Sequence, residues 1–412
     1  MTSAAEQTHL NPLHPPNLLN PFPLYKELRE KDPVHWSEAI QSWIVTRHQD
    51  VMNGFRDPHL SNDRTVFYEH QLRGLDPETV RKFVNFTQNT MVMRDGGEHT
   101  RLRRQALAAF TPQMVESWVP VIGRLMDEQL ARVASWGKMD LVKEISYQLP
   151  ALVIADIFGV PAEDCGRFQE WAAPLAQFSG PGPEDDILEV SKRAAAAMTA
   201  LTDYLAGLAE QRRHTPGNDV LSRMLQVKAE NAKMSMEELV VNALLMLSAG
   251  HLTTTDQISN LVHDLLTNPE QLQKLRADPS LIRSAVEENL RFSPSTTAII
   301  RIAVADFQLH GRSIRKGDRV MLVMAAANRD PAVFPDPDRF DITRNSLQAK
   351  HLTFSFGQHH CLGSGLARRE LEIATLKLLE QLPDLRLDEA KPARIKASNV
   401  LFRGFESLSV RW

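Results

Sequence analysis

The chain has 412 residues, a length that allows two or three domains. Its 47 lysines and arginines nearly balance its 51 aspartates and glutamates, which argues against nucleic acid as a bulk partner. Two cysteines exclude a disulfide framework, and no apolar run is long enough to span a membrane. The polar, proline-bearing start of the chain has no signal-peptide pattern, so we expect a cytoplasmic protein.

Apolar periodicity and turn residues predict a mainly helical chain. In chain order they indicate a short helix, two strands, an irregular stretch and a long helical region, over residues 21–32, 34–36, 43–46, 60–93 and 100–210. No linker, low-complexity tract or repeat divides the chain. We therefore predict one large domain over 21–412, preceded by an N-terminal extension over 1–20 that we expect to be mobile.

The longest predicted helix begins after Ser235, because Ser235 and Glu238 have the spacing of a capping box. It should end near Thr267, since Asn268-Pro269 follows. Beyond it the pattern predicts a helix, two strands and a proline-rich, non-periodic stretch, over 281–292, 299–303, 319–324 and 328–344.

The most informative segment is the run Phe354-Ser355-Phe356-Gly357-Gln358-His359-His360-Cys361-Leu362-Gly363. Cys361 comes just before a predicted helix over 362–376, and a helix N-terminus stabilises a thiolate. Gly357 and Gly363 allow tight turns and a close approach to a flat object. Such a loop suits an iron porphyrin with an axial thiolate. A lone cysteine is more often a small buried hydrophobe, and we interpret Cys165 in that way.

The pattern Phe354-x-x-Gly357-x-x-x-Cys361-x-Gly363 resembles the haem-binding signature of the cytochrome P450 family. The resemblance extends over most of the chain, and Ser355 stands where bacterial members usually have glycine. It implies a mainly α fold with small β-sheets, in a single large domain of the soluble bacterial type. Haem b would lie buried between the long central helix and the helix after the cysteine. Cys361 would ligate the iron as a thiolate, and Phe354, Gly357 and Gly363 would shape the loop.

Glu288 and Arg291 lie three residues apart, on one face of a predicted helix. Taken alone, this spacing is typical of an ordinary surface ion pair. The resemblance implies instead a buried structural charge network, with Arg339 as its third member, that holds the cysteine loop and the stretch before it.

Haem carries two propionates, which need cationic or hydrogen-bonding partners. The resemblance implies four such residues, namely His99, Arg103, Arg301 and His359. Each of these could instead be an ordinary solvated charge. We interpret Arg104 as a surface residue.

The long helix contains Ala249-Gly250-His251-Leu252-Thr253-Thr254-Thr255-Asp256, in which a glycine and three threonines weaken helical structure. This segment resembles the family's oxygen-activation motif, with Gly250 opening a groove and Thr253 relaying a proton. The family normally has Asp or Glu immediately before that threonine, and here the residue is Leu252. Asp256, one turn further on, is a tentative substitute. The alternatives are that the substrate supplies the proton-relaying group, and that Asp256 is simply solvated or salt-bridged.

The resemblance also places a substrate pocket, whose predicted lining is mostly apolar, as is usual for small-molecule sites. Its candidate residues are Phe83, Phe86, Phe178, Leu245, Ala249, Thr296, Ile299, Val400 and Leu401, and each could equally belong to the core.

The favoured function is a haem-thiolate monooxygenase that oxidises a small organic substrate with O2, as a tailoring step in specialised-metabolite biosynthesis. Neither a flavin nor a nicotinamide fingerprint is present, so electrons should come from a separate ferredoxin. The substrate could be free or bound to a carrier protein, and we expect a monomer with no membrane partner. One alternative is an oxidase that uses peroxide or that couples or desaturates its substrate. Another is a non-catalytic haem-binding or recruitment protein.

Overall fold

Helices dominate the structure, a computed structural model that describes residues 9–66, 72, 74–179, 185–227, 233–344, 350–397 and 399–412. The α-helices are α1 Pro15–Leu19, α2 Phe22–Lys31, α3 His48–Gly54, α4 Pro77–Gln88, α5 Gly96–Ala109, α6 Pro112–Val133, α7 Gln148–Phe158, α8 Cys165–Ser179, α9 Ile187–His214, α10 Val220–Leu225, α11 Met236–Thr267, α12 Pro269–Ala277, α13 Ile282–Phe292, α14 Met324–Ala327 and α15 Ser364–Gln381. Single helical turns occur at Met91–Met93, Val142–Ser146, Ala162–Asp164, Pro279–Leu281 and Gly357–His359.

The strands are short and form small sheets. They are β1 Val34–Ser37, β2 Ser42–Val45, β3 Leu60–Ser61, β4 Lys138–Asp140, β5 Ile299–Ala303, β6 Phe307–Leu309, β7 Arg312–Ile314, β8 Arg319–Leu322, β9 Arg386–Leu387, β10 Arg394–Ile395, β11 Phe405–Ser407 and β12 Ser409–Arg411. The largest sheet has the order β1-β2-β8-β5-β3, in which β2 and β8 run parallel with Trp43 opposite Val320. The smaller sheets are β4-β12-β9, β10-β11 and β6-β7.

The chain forms two compact units, each assembled from separate segments. The first unit comprises Met1–Leu60, Met126–Gln148 and Thr253–Trp412, and the second comprises Ser61–Leu125 and Leu149–Leu252. The boundary falls within α11, between Leu252 and Thr253.

The predicted capping box is present at the start of α11. The Ser235 backbone N–H donates to Glu238 Oε2 at 2.8 Å, and the Glu238 N–H donates to Ser235 Oγ at 3.1 Å. The helix ends at Thr267 and the next begins at Pro269, as Asn268-Pro269 predicted. Gly250 and the three threonines do not interrupt it, because the helix is continuous from Met236 to Thr267.

One prediction about the N-terminal half was wrong, and the first described residues make contacts with the core. Leu10 packs against a core cluster around Leu24 and Leu28, and Arg403 donates to the Leu19 carbonyl at 2.6 Å. The stretch 60–93, predicted to be irregular, contains α4. Asp76 begins that helix by accepting a hydrogen bond from the Thr79 N–H at 2.9 Å.

The other predicted elements occur close to their expected bounds, including α2, α13, β5, β8 and the helix after Cys361. Within the described part of the chain, none of the helices combines the length and the apolar character needed to cross a membrane.

Candidate active site

The loop that carries Cys361 is folded tightly by its own backbone. Gly357 has φ +78°, a left-handed conformation that favours glycine, and a Cβ there would lie 3.3 Å from Arg56 Cγ. The Cys361 N–H donates to the Phe354 carbonyl at 2.9 Å. Helix α15 begins three residues later, so the exposed Cys361 thiol lies just before a helix N-terminus. Such a terminus favours the thiolate form.

Ser355 also adopts the left-handed conformation, with φ +57°. This region costs a residue with a Cβ roughly 1–2 kcal/mol, which gives a physical reason why glycine is usual at this position in bacterial members. The Ser355 hydroxyl donates to the His359 carbonyl at 2.8 Å. We infer that this hydrogen bond offsets part of the cost and closes the loop across the turn Gly357–His359.

Glu288 and Arg291 form a buried ion pair, in which Arg291 Nε and Nη2 donate to the two carboxylate oxygens at 2.8 Å each. The other Arg291 donors reach the carbonyls of Asn328, Pro337 and Arg339, so all five guanidinium N–H groups are used. The pair therefore binds the backbone of the stretch before the cysteine loop.

The third member of this network was predicted wrongly. Arg339 has an exposed side chain and contributes only its carbonyl. Arg344 is the third charged member, with Nε 3.1 Å from Glu288 Oε2. The backbone turns between the two arginines, and this turn directs Arg344 rather than Arg339 toward the carboxylate.

The predicted propionate partners fall in both units, and we describe them separately. In the first unit Arg301 lies on β5 with 2% of its surface exposed, its guanidinium carbon 5.5 Å from the Phe55 ring centroid. His359 is half-buried in the turn before Cys361. In the second unit His99 is buried in the first turn of α5, and Arg103 follows one turn later, half-buried. Arg104 is exposed, as predicted.

Helix α11 is mostly buried but has one accessible stripe. Leu245, Ala249, Leu252 and Thr253 are half-buried or exposed, and the other three each lie three or four residues from Ala249, which places them on one face. Gly250 packs tightly, since a Cβ there would lie 3.1 Å from Ile154 Cδ1. The stripe thus brings the predicted relay residue and two predicted substrate residues onto one face.

Asp256 is buried and ion-paired. Lys396 Nζ lies 2.5 Å from Asp256 Oδ1, and Gly404 leaves room for the carboxylate, because a Cβ at residue 404 would overlap it. Burial raises the pKa of Asp256 to about 6, although the charge and hydrogen bond of Lys396 act to lower it. The geometry therefore shows a salt-bridged residue, and the raised pKa leaves this carboxyl group able to hold a proton near pH 6.

The predicted pocket residues of the second unit include one close pair. The rings of Phe83 and Phe178 are both buried and meet edge-on, with centroids 4.7 Å apart. Phe86, one turn along α4 from Phe83, is half-buried.

The predicted pocket residues of the first unit lie on two joined segments. The Thr297 N–H donates to the Leu401 carbonyl at 2.8 Å, and the Arg403 N–H donates to the Ser295 carbonyl at 2.8 Å. These bonds bring Thr296 beside the turn that carries Val400 and Leu401. Ile299, Val400 and Leu401 also pack against core clusters, so they serve the core as well.

Comparison with known proteins identifies the class of this protein. The family model for cytochrome P450 matches residues 68–399. A vitamin D(3) 25-hydroxylase from Pseudonocardia autotrophica is 39% identical over 95% of this chain and 93% of its own length. A biotin biosynthesis cytochrome P450 from Bacillus subtilis is 37% identical over 90% of this chain and 91% of its own length.

A solved structure of P450BioI in complex with acyl carrier protein that bears hexadec-9Z-enoic acid is also similar. Its TM-score is 0.85 at 34% identity, with coverage of 96% of this chain and 99% of that chain. The chain belongs to the cytochrome P450 family, whose cofactor is haem b with an axial cysteine thiolate. The family and its named relatives support an oxidoreductase of the monooxygenase type.

The residues present fit this cofactor. A thiol before a helix N-terminus and a buried guanidinium on β5, both in the first unit, form a suitable donor set. Sequence reasoning missed Arg344 and Lys396, and neither had a local signal. Lys396 lies 140 residues from its partner, and Arg344 lies 56 residues from its partner.

Proposed function

We propose that this protein is a haem-thiolate monooxygenase in which Cys361 is the axial ligand of the haem iron. The observation that carries this proposal is the placement of the Cys361 thiol, exposed just before the N-terminus of α15 in a loop closed by the Cys361 N–H and the Ser355 hydroxyl. The match to the family model supports it.

The roles of the other residues follow from charge and position. Arg301 and His359 in the first unit, and His99 and Arg103 in the second, would bind the two propionates through charge-assisted hydrogen bonds. Bound haem supplies the activation of O2 for oxidation of the substrate. The chain holds the cofactor, positions an apolar substrate through residues such as Phe83, Phe178 and Ala249, and delivers protons.

Proton delivery has an unusual arrangement in this chain. The Thr253 hydroxyl lies on the accessible stripe of α11, but its neighbour Leu252 has no proton to give. Asp256 is three residues beyond Thr253, and its pKa of about 6 lies close to neutral pH, which suits a general acid. Its ion pair with Lys396 draws the carboxylate toward Gly404. The proton therefore comes either from Asp256 or from a polar group on the substrate.

Simple apolar substrates should give poorly coupled turnover, with much reductant consumed without product. Leu252→Asp should raise the product formed per reductant on such substrates, and it should matter less on a substrate that carries a hydroxyl, amine or amide near the reacting carbon. If Asp256 is the acid, Asp256→Asn should slow turnover on every substrate by about 10²-fold or more. In that case coupling should also fall as the pH rises through about 6, since Asp256 donates only when protonated.

Product, peroxide and reductant consumed would be measured for each variant. Lys396→Met is the matched control, because it removes the ion pair and leaves the carboxyl group in place. The pKa of Asp256 in the folded state lies above that of an unfolded chain, so this group destabilises the folded state as the pH rises from about 4 to about 6. High coupling of the wild type on a plain hydrocarbon, unchanged by Asp256→Asn, would rule out both proton sources.

We further propose that the substrate is a small apolar metabolite tailored in a biosynthetic pathway, and that a separate ferredoxin supplies the electrons. Support comes from the relatives: one is named for biotin biosynthesis, and one structure holds a fatty acid on acyl carrier protein. A carrier-bound substrate and a free one are therefore both included in the test.

Reconstitution with a bacterial ferredoxin, its reductase and isotopically labelled O2 tests the function. Candidate substrates are first ranked by the shift they cause in the haem absorption band, as free acids and as carrier thioesters. We expect labelled oxygen in the product. Product formed with peroxide, but not with reductant and O2, would favour the peroxide-using alternative, to which the apolar Leu252 also points. Absence of product with either oxidant across all substrates that shift the haem band would contradict the proposal.

A further inference from the structure

Helix α13 presents two adjacent carboxylates that bind different parts of the chain. Glu288 binds Arg291 and Arg344, and its Oε1 accepts from the Asp341 N–H at 2.9 Å. It therefore holds the stretch that ends at Arg344. Glu287 points elsewhere and binds two residues that flank the cysteine loop in sequence, His351 and Arg368.

The contact between Glu287 and Arg368 has the two-pronged geometry of strong guanidinium–carboxylate pairs. Arg368 Nε lies 2.6 Å from Glu287 Oε1, and Nη2 lies 3.2 Å from Oε2. His351 Nε2 lies 3.3 Å from Oε2 of the same carboxylate, which is a close electrostatic contact without hydrogen-bond geometry. Burial acts to raise the pKa of Glu287, but the contacts of His351 and Arg368 outweigh it and lower the pKa to about 2. The carboxylate is therefore ionised at neutral pH.

His351 has a defined orientation in this cluster. Its Nδ1 accepts a hydrogen bond from the Thr353 N–H at 3.2 Å, so the ring proton lies on Nε2, the nitrogen that faces Glu287. Thr353 is fixed in turn, since its hydroxyl donates to the Leu290 carbonyl at 2.6 Å. The residues that lead into the loop are thus anchored to α13.

The cluster contacts the cysteine loop through one aromatic ring. The guanidinium carbon of Arg368 lies 4.6 Å from the centroid of the Phe354 ring, a cation–π contact, and the His351 ring centroid lies 5.9 Å from it. The Phe354 carbonyl accepts from the Cys361 N–H at 2.9 Å. A continuous series of contacts therefore runs from Glu287 through Arg368 and Phe354 to Cys361.

We propose that Glu287, Arg368 and His351 are positioning residues that hold Cys361 where it ligates the haem iron. Arg368 and His351 contact the Phe354 ring, and Glu287 holds both of them in place. None of the contacts described for these three residues reaches the thiol itself, and their role is distinct from that of the Glu288 network. The inference rests on the proposed role of Cys361. With the cluster intact the thiolate has one available position, and without it the loop gains conformations in which the iron–sulfur contact is lost.

The test uses the holoenzyme and the Soret band of its reduced carbon monoxide complex, which is red-shifted when a thiolate is the ligand. Arg368→Gln keeps the side-chain length but removes the charge. Under mild warming or denaturant, we expect the ratio of the non-thiolate to the thiolate form to rise about tenfold or more, equivalent to about 1.4 kcal/mol. This loss should precede unfolding followed by circular dichroism, and the reduction potential of the haem should shift.

Glu287→Gln should reproduce the effect of Arg368→Gln. The double variant should lose no more of the thiolate form than either single variant, because all three variants break the same contact between Glu287 and Arg368. Arg368→Lys keeps the charge but loses the two-pronged geometry, so its effect should be intermediate. It also keeps the test possible if Arg368→Gln binds haem poorly. Lys377→Gln is the matched control on the same helix, since Lys377 binds Asp127 at 2.7 Å and is absent from the contacts that lead to Phe354.

Three outcomes would overturn the inference: an unchanged thiolate band and potential in Arg368→Gln and Glu287→Gln, additive effects in the double variant, or band loss that simply tracks unfolding. A wild-type protein that lacks the thiolate band would instead overturn the proposed role of Cys361. The failures of the two proposals are therefore distinguishable.

Discussion

Cys361→Ala should abolish the red-shifted Soret band of the reduced carbon monoxide complex and, with it, all oxidation of substrate. The reason is chemical, since alanine has no group that can donate an electron pair to iron in place of the thiolate. The backbone of the loop should survive, because its closing bonds come from the Cys361 N–H and the Ser355 hydroxyl, and neither needs the thiol. We expect haem content to fall while helical circular dichroism is retained.

The chain supplies a control for this result in its other cysteine, since Cys165→Ser should leave the band unchanged. Arg301→Ala should have a smaller effect than Cys361→Ala. It should speed the loss of haem about tenfold or more, because a charge-assisted hydrogen bond to a propionate contributes roughly 1.5–3 kcal/mol, while the thiolate band of bound haem remains. Arg104→Ala, at an exposed site, should behave like the wild type. A wild-type protein that binds haem through histidine would contradict the prediction.

Arg291→Leu should lower the free energy of unfolding by about 3–5 kcal/mol, the cost of leaving a buried carboxylate without its main partner. All five N–H donors of Arg291 are engaged, so the substitution also removes the guanidinium donors to the carbonyls of Asn328 and Pro337, whereas the Arg339 carbonyl still accepts from Arg344 Nη2 at 3.2 Å. Arg344 alone cannot compensate, because it approaches Glu288 only through Nε. Denaturant unfolding of the holoenzyme would measure the loss.

Arg339→Ala is the informative control for this network. The sequence pattern placed Arg339 in the charge cluster, whereas the structure assigns that place to Arg344. Since the Arg339 side chain is exposed and its carbonyl survives the substitution, we expect a change within about 0.5 kcal/mol. Equal destabilisation by Arg291→Leu and Arg339→Ala would show that the network does not act as described.

The predictions that held depended on residues close together in the chain. The capping box of Ser235 and Glu238, the stop at Asn268-Pro269 and the pairing of Glu288 with Arg291 each span a few residues, so local geometry determines them. The cysteine loop is also local, since its glycines and its following helix occur within one short run. These features made the family recognisable from the sequence.

The pattern of apolar residues predicted local structure less reliably where tertiary packing competes with it. Residues 9–20 are polar and rich in proline, yet Leu10 and Leu18 supply enough apolar surface to pack them against the first unit. Helix α4 was not predicted, because its stretch mixes polar and apolar residues. Asp76 and Pro77 nevertheless form a helix-start signal that could have indicated it.

The sequence by itself determined the class of the protein, its cofactor and the unusual Leu252, because each depends on the identity of residues within a motif. The tertiary structure decided which charges meet. Lys396 reaches Asp256 across 140 residues, and Arg368 reaches Glu287 across 81. The spacing of side chains along a chain carries no information on such pairs, since their contact depends on how helices and loops pack. A carboxylate that this packing buries needs a charged partner, because an unpaired buried charge is costly.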